Sequence, residues 1–296
     1  MKYAEEAVLF PCMGDTLLGI VAKPGVATDT GVIVVVGGPQ YRAGSHRQFV
    51  LLSRALAAAG YAVLRFDYRG MGDSEGPQRD FQSVSPDIAA AIDTLQQCAP
   101  SVRRVVLWGL CDGASAALLY RFDTHDPRVS ALCLLNPWIR SETSLARTQV
   151  KHYYTQRIVE REFWTKLLNG KIGLKALNAL LRSVQLSVAG RRYLASQASA
   201  PDRAAPTQMP YQQRMAHAWC NFTGSILLLL SGDDYTAKEF LEYASNDLAW
   251  QKSMKHPRLT CRQLIGADHT VSNALCRAQA EDLTLRLGLP SSGPSH

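Results

Sequence analysis

Three side chains that together could run an acyl-transfer reaction stand at separate points of this chain, each just beyond an apolar run. The first is Cys111, inside Gly109-Leu110-Cys111-Asp112-Gly113. This is the G-x-S-x-G nucleophile turn with cysteine in place of serine. Apolar and β-branched residues lead in (Val102, Val105, Val106, Leu107, Trp108), and small or apolar ones lead out (Ala114, Ala116, Ala117, Leu118, Leu119). That is the strand–turn–helix context the motif requires. Such a turn strains the nucleophile's backbone, and flanking glycines remove Cβ atoms that would clash with strand and helix. It also sets the sulfur at a helix N-terminus, where the dipole favours a thiolate.

A cysteine nucleophile needs a base, and the base needs an orienting group. The run Leu227–Leu230 ends in Ser231-Gly232-Asp233-Asp234, a strand end bearing two carboxylates. The last strand-like run ends in Leu264-Ile265-Gly266-Ala267-Asp268-His269. Nucleophile, acid and histidine therefore occur in an order known for such triads. The other histidines fit worse: His46 and His125 lie in the wrong region, and His152, His217, His256 and His296 follow no strand. Asp234 is the preferred acid because it stands one residue later and Tyr235-Thr236-Ala237 begins a helix; Asp233 is the alternative.

The elements that must hold these groups alternate. Ala7–Phe10 and Thr16–Ala22 read as a hairpin turning at Met13-Gly14-Asp15, and Gly31–Val36 as a strand buried on both faces. Arg47–Ala59 reads as a helix ended by Gly60, Ala62–Phe66 as a strand, and Val84–Gln97 as a helix with Asp87, Asp93 and Gln96 on its polar side. The strand before Cys111 and another at Val129–Leu135 follow. From Trp138 to about Thr223 no comparable strand appears; the readable segments are helical, Tyr153–Asn169 and Leu174–Val184, before a polar stretch, Ser196–Pro206. Alternation resumes with Ser225–Leu230, a helix at Lys238–Ala244, Leu259–Ile265 and a closing helix, Val271–Leu287. This predicts an α/β fold, a mostly parallel sheet flanked by helices, with a helical cap inserted after the sixth strand. The expected division is a core of 1–136 with 224–290, a cap of 137–223, and a frayed tail of 291–296.

Composition narrows the function class. The 296 residues are 47% hydrophobic and 19% charged, ordinary for a globular chain with a sizeable core. The first residues lack the pattern of a signal peptide, and no apolar run approaches the roughly 20 residues of a membrane span. Seven cysteines without a C-x-x-C pair point to reduced thiols in a cytoplasm rather than a disulfide framework or zinc site. Gly37-Gly38 lacks the dinucleotide spacing and there is no P-loop, so neither cofactor nor metal is expected.

At this point the chain resembles the α/β-hydrolase superfamily over nearly all its length except the inserted cap. Phe66-Asp67-Tyr68-Arg69-Gly70-Met71-Gly72-Asp73-Ser74-Glu75-Gly76 is similar to that superfamily's D-x-R-G-x-G-x-S loop after the fourth strand. More narrowly, Gly37-Gly38-Pro39-Gln40-Tyr41-Arg42, Gly109–Ser115 and Gly266-Ala267-Asp268-His269-Thr270 together resemble the hydrolases associated with exosortase A systems. The cysteine turn is also similar to that of dienelactone hydrolases, although the inserted cap is not. The resemblance implies an oxyanion hole with one main-chain N–H from the loop after the third strand. Aligning Gly37-Gly38 there puts Pro39, which has no N–H, in the donor's place. The expected donors are therefore the N–H groups of Gln40 and Asp112, with the side chains of Tyr41 or Arg42 as substitutes.

Charge is concentrated in the insertion. Residues 140–203 hold 12 Lys/Arg and four Asp/Glu, a surplus of +8 against +7 for the whole chain. Leu174, Leu177, Leu181 and Val184 share one helical face, with Lys171, Lys175, Asn178 and Arg182 opposite. The plain reading is a cap helix with a solvated basic side. The functional readings are an anionic small-molecule acyl substrate (an acyl-CoA or acidic glycan) or peripheral contact with an anionic membrane. Nucleic acid is not expected, because no recognition motif accompanies the charge. The expectation is a hydrolase cleaving an ester, thioester or lactone through Cys111, His269 and Asp234. Its rivals are an acyltransferase with the same triad and a non-catalytic scaffold of the same fold.

Overall fold

The computed structural model describes residues 3–25, 28–38, 41–140 and 209–288. β1 (Tyr3–Cys12) and β2 (Asp15–Pro24) form an antiparallel hairpin in register from Tyr3 opposite Pro24 to Cys12 opposite Asp15. Met13 and Gly14 turn it with positive φ. Then follow β3 (Thr30–Val35), α1 (Gln48–Ala58), β4 (Ala62–Phe66), α2 (Ser85–Cys98), β5 (Arg104–Leu110), α3 (Asp112–Thr124) and β6 (Val129–Leu135). After the insertion come α4 (Tyr211–Cys220), β7 (Ser225–Ser231), α5 (Tyr235–Asn246), α6 (Leu248–Ser253), β8 (Leu259–Leu264) and α7 (Ala274–Leu283).

The eight strands form one sheet in the order β1-β2-β4-β3-β5-β6-β7-β8. β2 pairs antiparallel with β4, and every pairing from β4 to β8 is parallel. Period-two alternation then splits the core in two. Ile33, Val35, Val105, Leu107, Leu132, Leu134, Leu228 and Leu230 face the layer of α2 to α6, with Ile88, Leu118, Trp219, Phe240 and Trp250. Val34, Val106, Trp108, Cys133, Leu135 and Leu229 face α1 and α7, with Phe49, Leu56 and Cys276. Strands buried on both faces cannot alternate polar and apolar residues, which is why these segments read as continuous apolar runs.

The chain divides into two compact units, residues 1–139 with 210–296 and residues 140–209. The expected insertion of 137–223 therefore ends earlier. The polar-looking 211–220 segment is α4, whose Met215, Ala216 and Trp219 are buried in the first core cluster. The closing helix also starts later than expected, because Asn273 caps α7 by accepting from the N–H groups of Leu275 and Cys276. Asp87 is not on a solvated face: it is buried and pairs with Arg69. The expected helices Tyr153–Asn169 and Leu174–Val184, the basic face of Lys171, Lys175, Asn178 and Arg182, and the tail lie outside the described residues. Among the described residues no helix is long and apolar enough to cross a membrane.

Candidate active site

β5 ends at Leu110, and Cys111 follows with φ 59° and ψ −125°, a conformation that L-residues rarely adopt. Neighbours hold it there. Cys111 N–H donates to the Leu135 carbonyl on β6, and the Cys111 carbonyl accepts from Ala114, Ser115 and Trp138 N–H groups. The glycines are required by contact. A Cβ on Gly109 would lie 2.5 Å from the Ala114 nitrogen, and one on Gly113 would lie 2.3 Å from the Val35 carbonyl oxygen. Gly113 thus lets the start of α3 rest directly on the end of β3. Cys111 is half-buried at the first turn of α3, where N–H groups have no partner within the helix.

Asp234, at the C-terminal end of β7, caps α5: its carboxylate accepts from the N–H groups of Thr236 and Ala237. The same carboxylate meets His269, whose Nδ1 lies 2.9 Å from Asp234 Oδ2. The His269 pKa is pushed up to about 10, first by the Asp234 carboxylate and then by Cys111, against the opposing effect of burial. Asp234 is buried, whereas Asp233 is exposed and its N–H donates to the Ala267 carbonyl. The carboxylate beside His269 is therefore that of Asp234.

The loop carrying His269 is itself fixed. Asp268 accepts from both N–H and hydroxyl of Ser272. Asn136, at the end of β6 with φ 47°, donates to the Ser231 hydroxyl and to the His269 carbonyl, and accepts from Ser231 N–H. It joins the ends of β6 and β7 to the histidine loop. Sequence reading missed it, although an asparagine directly after an apolar strand and before Pro137 is a plausible left-handed turn residue.

The oxyanion side differs more from expectation. The Asp112 N–H is at the first helical position of α3. Its carboxyl group is packed against Gly37, with Oδ1 buried and unpartnered, and burial raises its pKa. Gln40 and Pro39 lie outside the described residues. The Arg42 side chain is not a substitute donor: it is committed to Asp67 and Asp73. Tyr41 is exposed, with the Arg42 guanidinium 5.5 Å from its ring centroid. Among the described residues no cluster of His, Cys, Asp and Glu could hold a metal ion.

Comparison with known proteins places these groups in context. A family model described as the alpha/beta hydrolase family matches residues 32–280, a span that contains Cys111, Asp234 and His269. The lysophosphatidylserine lipase ABHD12 of Danio rerio is 32% identical over 115 residues, 38% of this chain. That match spans only 29% of the lipase. The Pyrococcus furiosus esterase Pf2001 superposes with a TM-score of 0.61 at 15% identity, over 97% of this chain and 94% of that one. Est1E of Butyrivibrio proteoclasticus, solved with ferulic acid bound, gives a TM-score of 0.58 at 15% identity, over 95% of this chain and 99% of that one. At such identities the two structures share a fold with this chain.

Proposed function

The chain belongs to the alpha/beta hydrolase family, and from that premise we propose that it hydrolyses an ester, thioester or lactone with Cys111 as nucleophile, His269 as base and acid, and Asp234 as orienting carboxylate. The observation that carries this reading is the relay at the C-terminal edge of the sheet. Asp234 Oδ2 is 2.9 Å from His269 Nδ1, and Cys111, held in a strained turn at φ 59°, is named after Asp234 among the groups that raise the pKa of that imidazole. In this scheme His269 takes the Cys111 proton and the thiolate attacks the acyl carbonyl carbon. The carbonyl oxygen becomes an oxyanion facing the Asp112 N–H and a main-chain N–H of the loop after β3. The leaving group departs with the proton from His269, leaving a thioester on Cys111. His269 then deprotonates water, which attacks the thioester and releases the acid and the free thiol.

A sulfur nucleophile favours thioesters and activated esters, because exchange between two thioesters is nearly balanced. Amides are poor substrates for it. The narrower likeness to exosortase A-associated hydrolases and a cytoplasmic setting belong to the same proposal, as does an anionic acyl substrate. The test is turnover of p-nitrophenyl esters, acyl-CoAs and a lysophospholipid by the wild type and by Cys111→Ala. The expected result is hydrolysis by the wild type and background rates for the variant. Full activity in Cys111→Ala overturns the nucleophile. Products acylated on an added alcohol or amine, in place of free acid, identify transfer.

A further inference from the structure

The chain leaving β6 is bonded to the nucleophile turn on one side and to the histidine loop on the other. On the nucleophile side, Cys111 N–H donates to the Leu135 carbonyl at 2.9 Å, and Trp138 N–H donates to the Cys111 carbonyl at 3.2 Å. The Ser115 hydroxyl, in the first turn of α3, donates to the Trp138 carbonyl at 2.6 Å. On the other side, Asn136 N–H donates to the Leu229 carbonyl of β7 at 3.0 Å. The Asn136 side chain reaches further. Its Oδ1 accepts from Ser231 N–H at 2.8 Å, which fixes the way the amide faces. Nδ2 then donates to the Ser231 hydroxyl at 2.9 Å and to the His269 carbonyl at 3.3 Å. Ser231 stands three residues before Asp234, whose carboxylate meets the His269 ring. Asn136 is fully buried, and a buried amide is costly unless its groups are paired, as they are here. Its φ of 47° suits glycine or asparagine, but only asparagine brings an amide to that position.

We propose that Asn136 is a positioning residue for the triad: its amide ties the main chain of His269 to the strand end that is bonded to Cys111, and so sets the imidazole against the sulfur and the leaving group. The proposal rests on the hydrolase reading above and adds to it a side chain that does not itself react. Asp234 restrains how the ring is turned, whereas Asn136 restrains where the ring begins. Both matter, because a misplacement of about 1 Å can cost about 10²-fold in rate.

Two leaving groups separate this role from general damage. With a phenyl ester, the thiolate attacks the carbonyl carbon, a C–S bond forms, the C–O bond breaks, and the phenolate takes a proton from His269. With the p-nitrophenyl ester of the same acid the same bonds change, but p-nitrophenolate is the weaker base and departs without that proton. Asn136→Gly keeps the positive φ and deletes the amide. It should lower kcat/KM for the phenyl ester about 10- to 100-fold. The loss for the p-nitrophenyl ester should be at least about threefold smaller, because only the phenyl ester needs the histidine as acid. Tyr120→Phe is the control: it breaks a buried 2.6 Å hydrogen bond to Asp126 near the other end of α3. It should lower the melting temperature and leave the ratio of the two esters unchanged. If Asn136→Gly does not fold, Asn136→Asp carries the same comparison, since it keeps the acceptor for Ser231 N–H and loses the donor to the His269 carbonyl. Equal loss on both esters, no loss on either, or failure of both variants to fold assigns Asn136 to stability or shape alone and overturns the proposal. Failure of the wild type to acylate at Cys111 overturns the hydrolase reading instead.

Discussion

At the level of single residues, Asp234 does two jobs that one substitution can separate. It caps α5 and it holds His269. Asparagine caps about as well as aspartate, so Asp234→Asn should keep the α5 cap and lose only the charge that faces His269. It should cost a large factor in turnover, up to the roughly 10⁴ seen when a triad carboxylate loses its charge. Asp233→Asn, at an exposed side chain, should cost little. Comparing kcat for the two variants checks the assignment; the reverse ranking would move the acid by one residue. A pH prediction follows from the raised His269. Its folded pKa of about 10 stands above the unfolded value of about 6.5. The stability it contributes is thus fully present below about pH 6.5 and lost as pH rises through about 10. The melting-temperature gap between wild type and His269→Gln should narrow across that window. The three side chains of the proposed triad could be picked out in the sequence because each follows an apolar strand in the order such triads use. The pairing of Arg42, considered with Tyr41 as a substitute oxyanion donor, was not foreseen, because the Asp67 carboxylate lies 25 residues away, just past β4.

At the level of elements, the strands were legible and several boundaries were not. Buried parallel strands announce themselves as unbroken apolar runs, so β3 to β7 fall within a residue or so of expectation. The short α6 and the helix α4 left weaker traces. α4 buries Met215 and Trp219 but also carries Gln212, Gln213, Arg214 and His217, and no element was read from the sequence there. Asp87 was read as solvated from its place on a helix face, whereas Arg69 neutralises it in the interior. The elbow itself offers a sharp packing test. Gly113→Ala would drive a Cβ to 2.3 Å from the Val35 carbonyl oxygen, a backbone atom that cannot swing aside. It should cost at least about 1–3 kcal/mol, the range for overpacked sites. Chemical denaturation measures it, and an unchanged midpoint would mean that α3 does not rest on β3 as described.

Across the whole molecule, charge is partitioned by sequence. Residues 140–203 carry a surplus of +8 while the chain totals +7, leaving the remainder at −1. If that surplus serves an anionic acyl substrate, replacing Lys171, Lys175 and Arg182 with Gln should raise KM for an acyl-CoA and leave neutral p-nitrophenyl esters unaffected. The difference should fade between 0.1 M and 1 M salt, as the screening length falls from about 10 Å to 3 Å. Unchanged KM with weakened binding to anionic vesicles would assign the charge to a membrane surface. The central claim, a covalent acyl group on Cys111 formed with the help of His269, is tested most directly by the mass of the whole chain. Wild-type protein mixed with a p-nitrophenyl ester and quenched early should gain one acyl group. Peptide mapping should place it on Cys111, and it should be lost in Cys111→Ala and greatly reduced in His269→Ala. An adduct on any of the other six cysteines, or turnover with no adduct and no dependence on Cys111, would contradict the account.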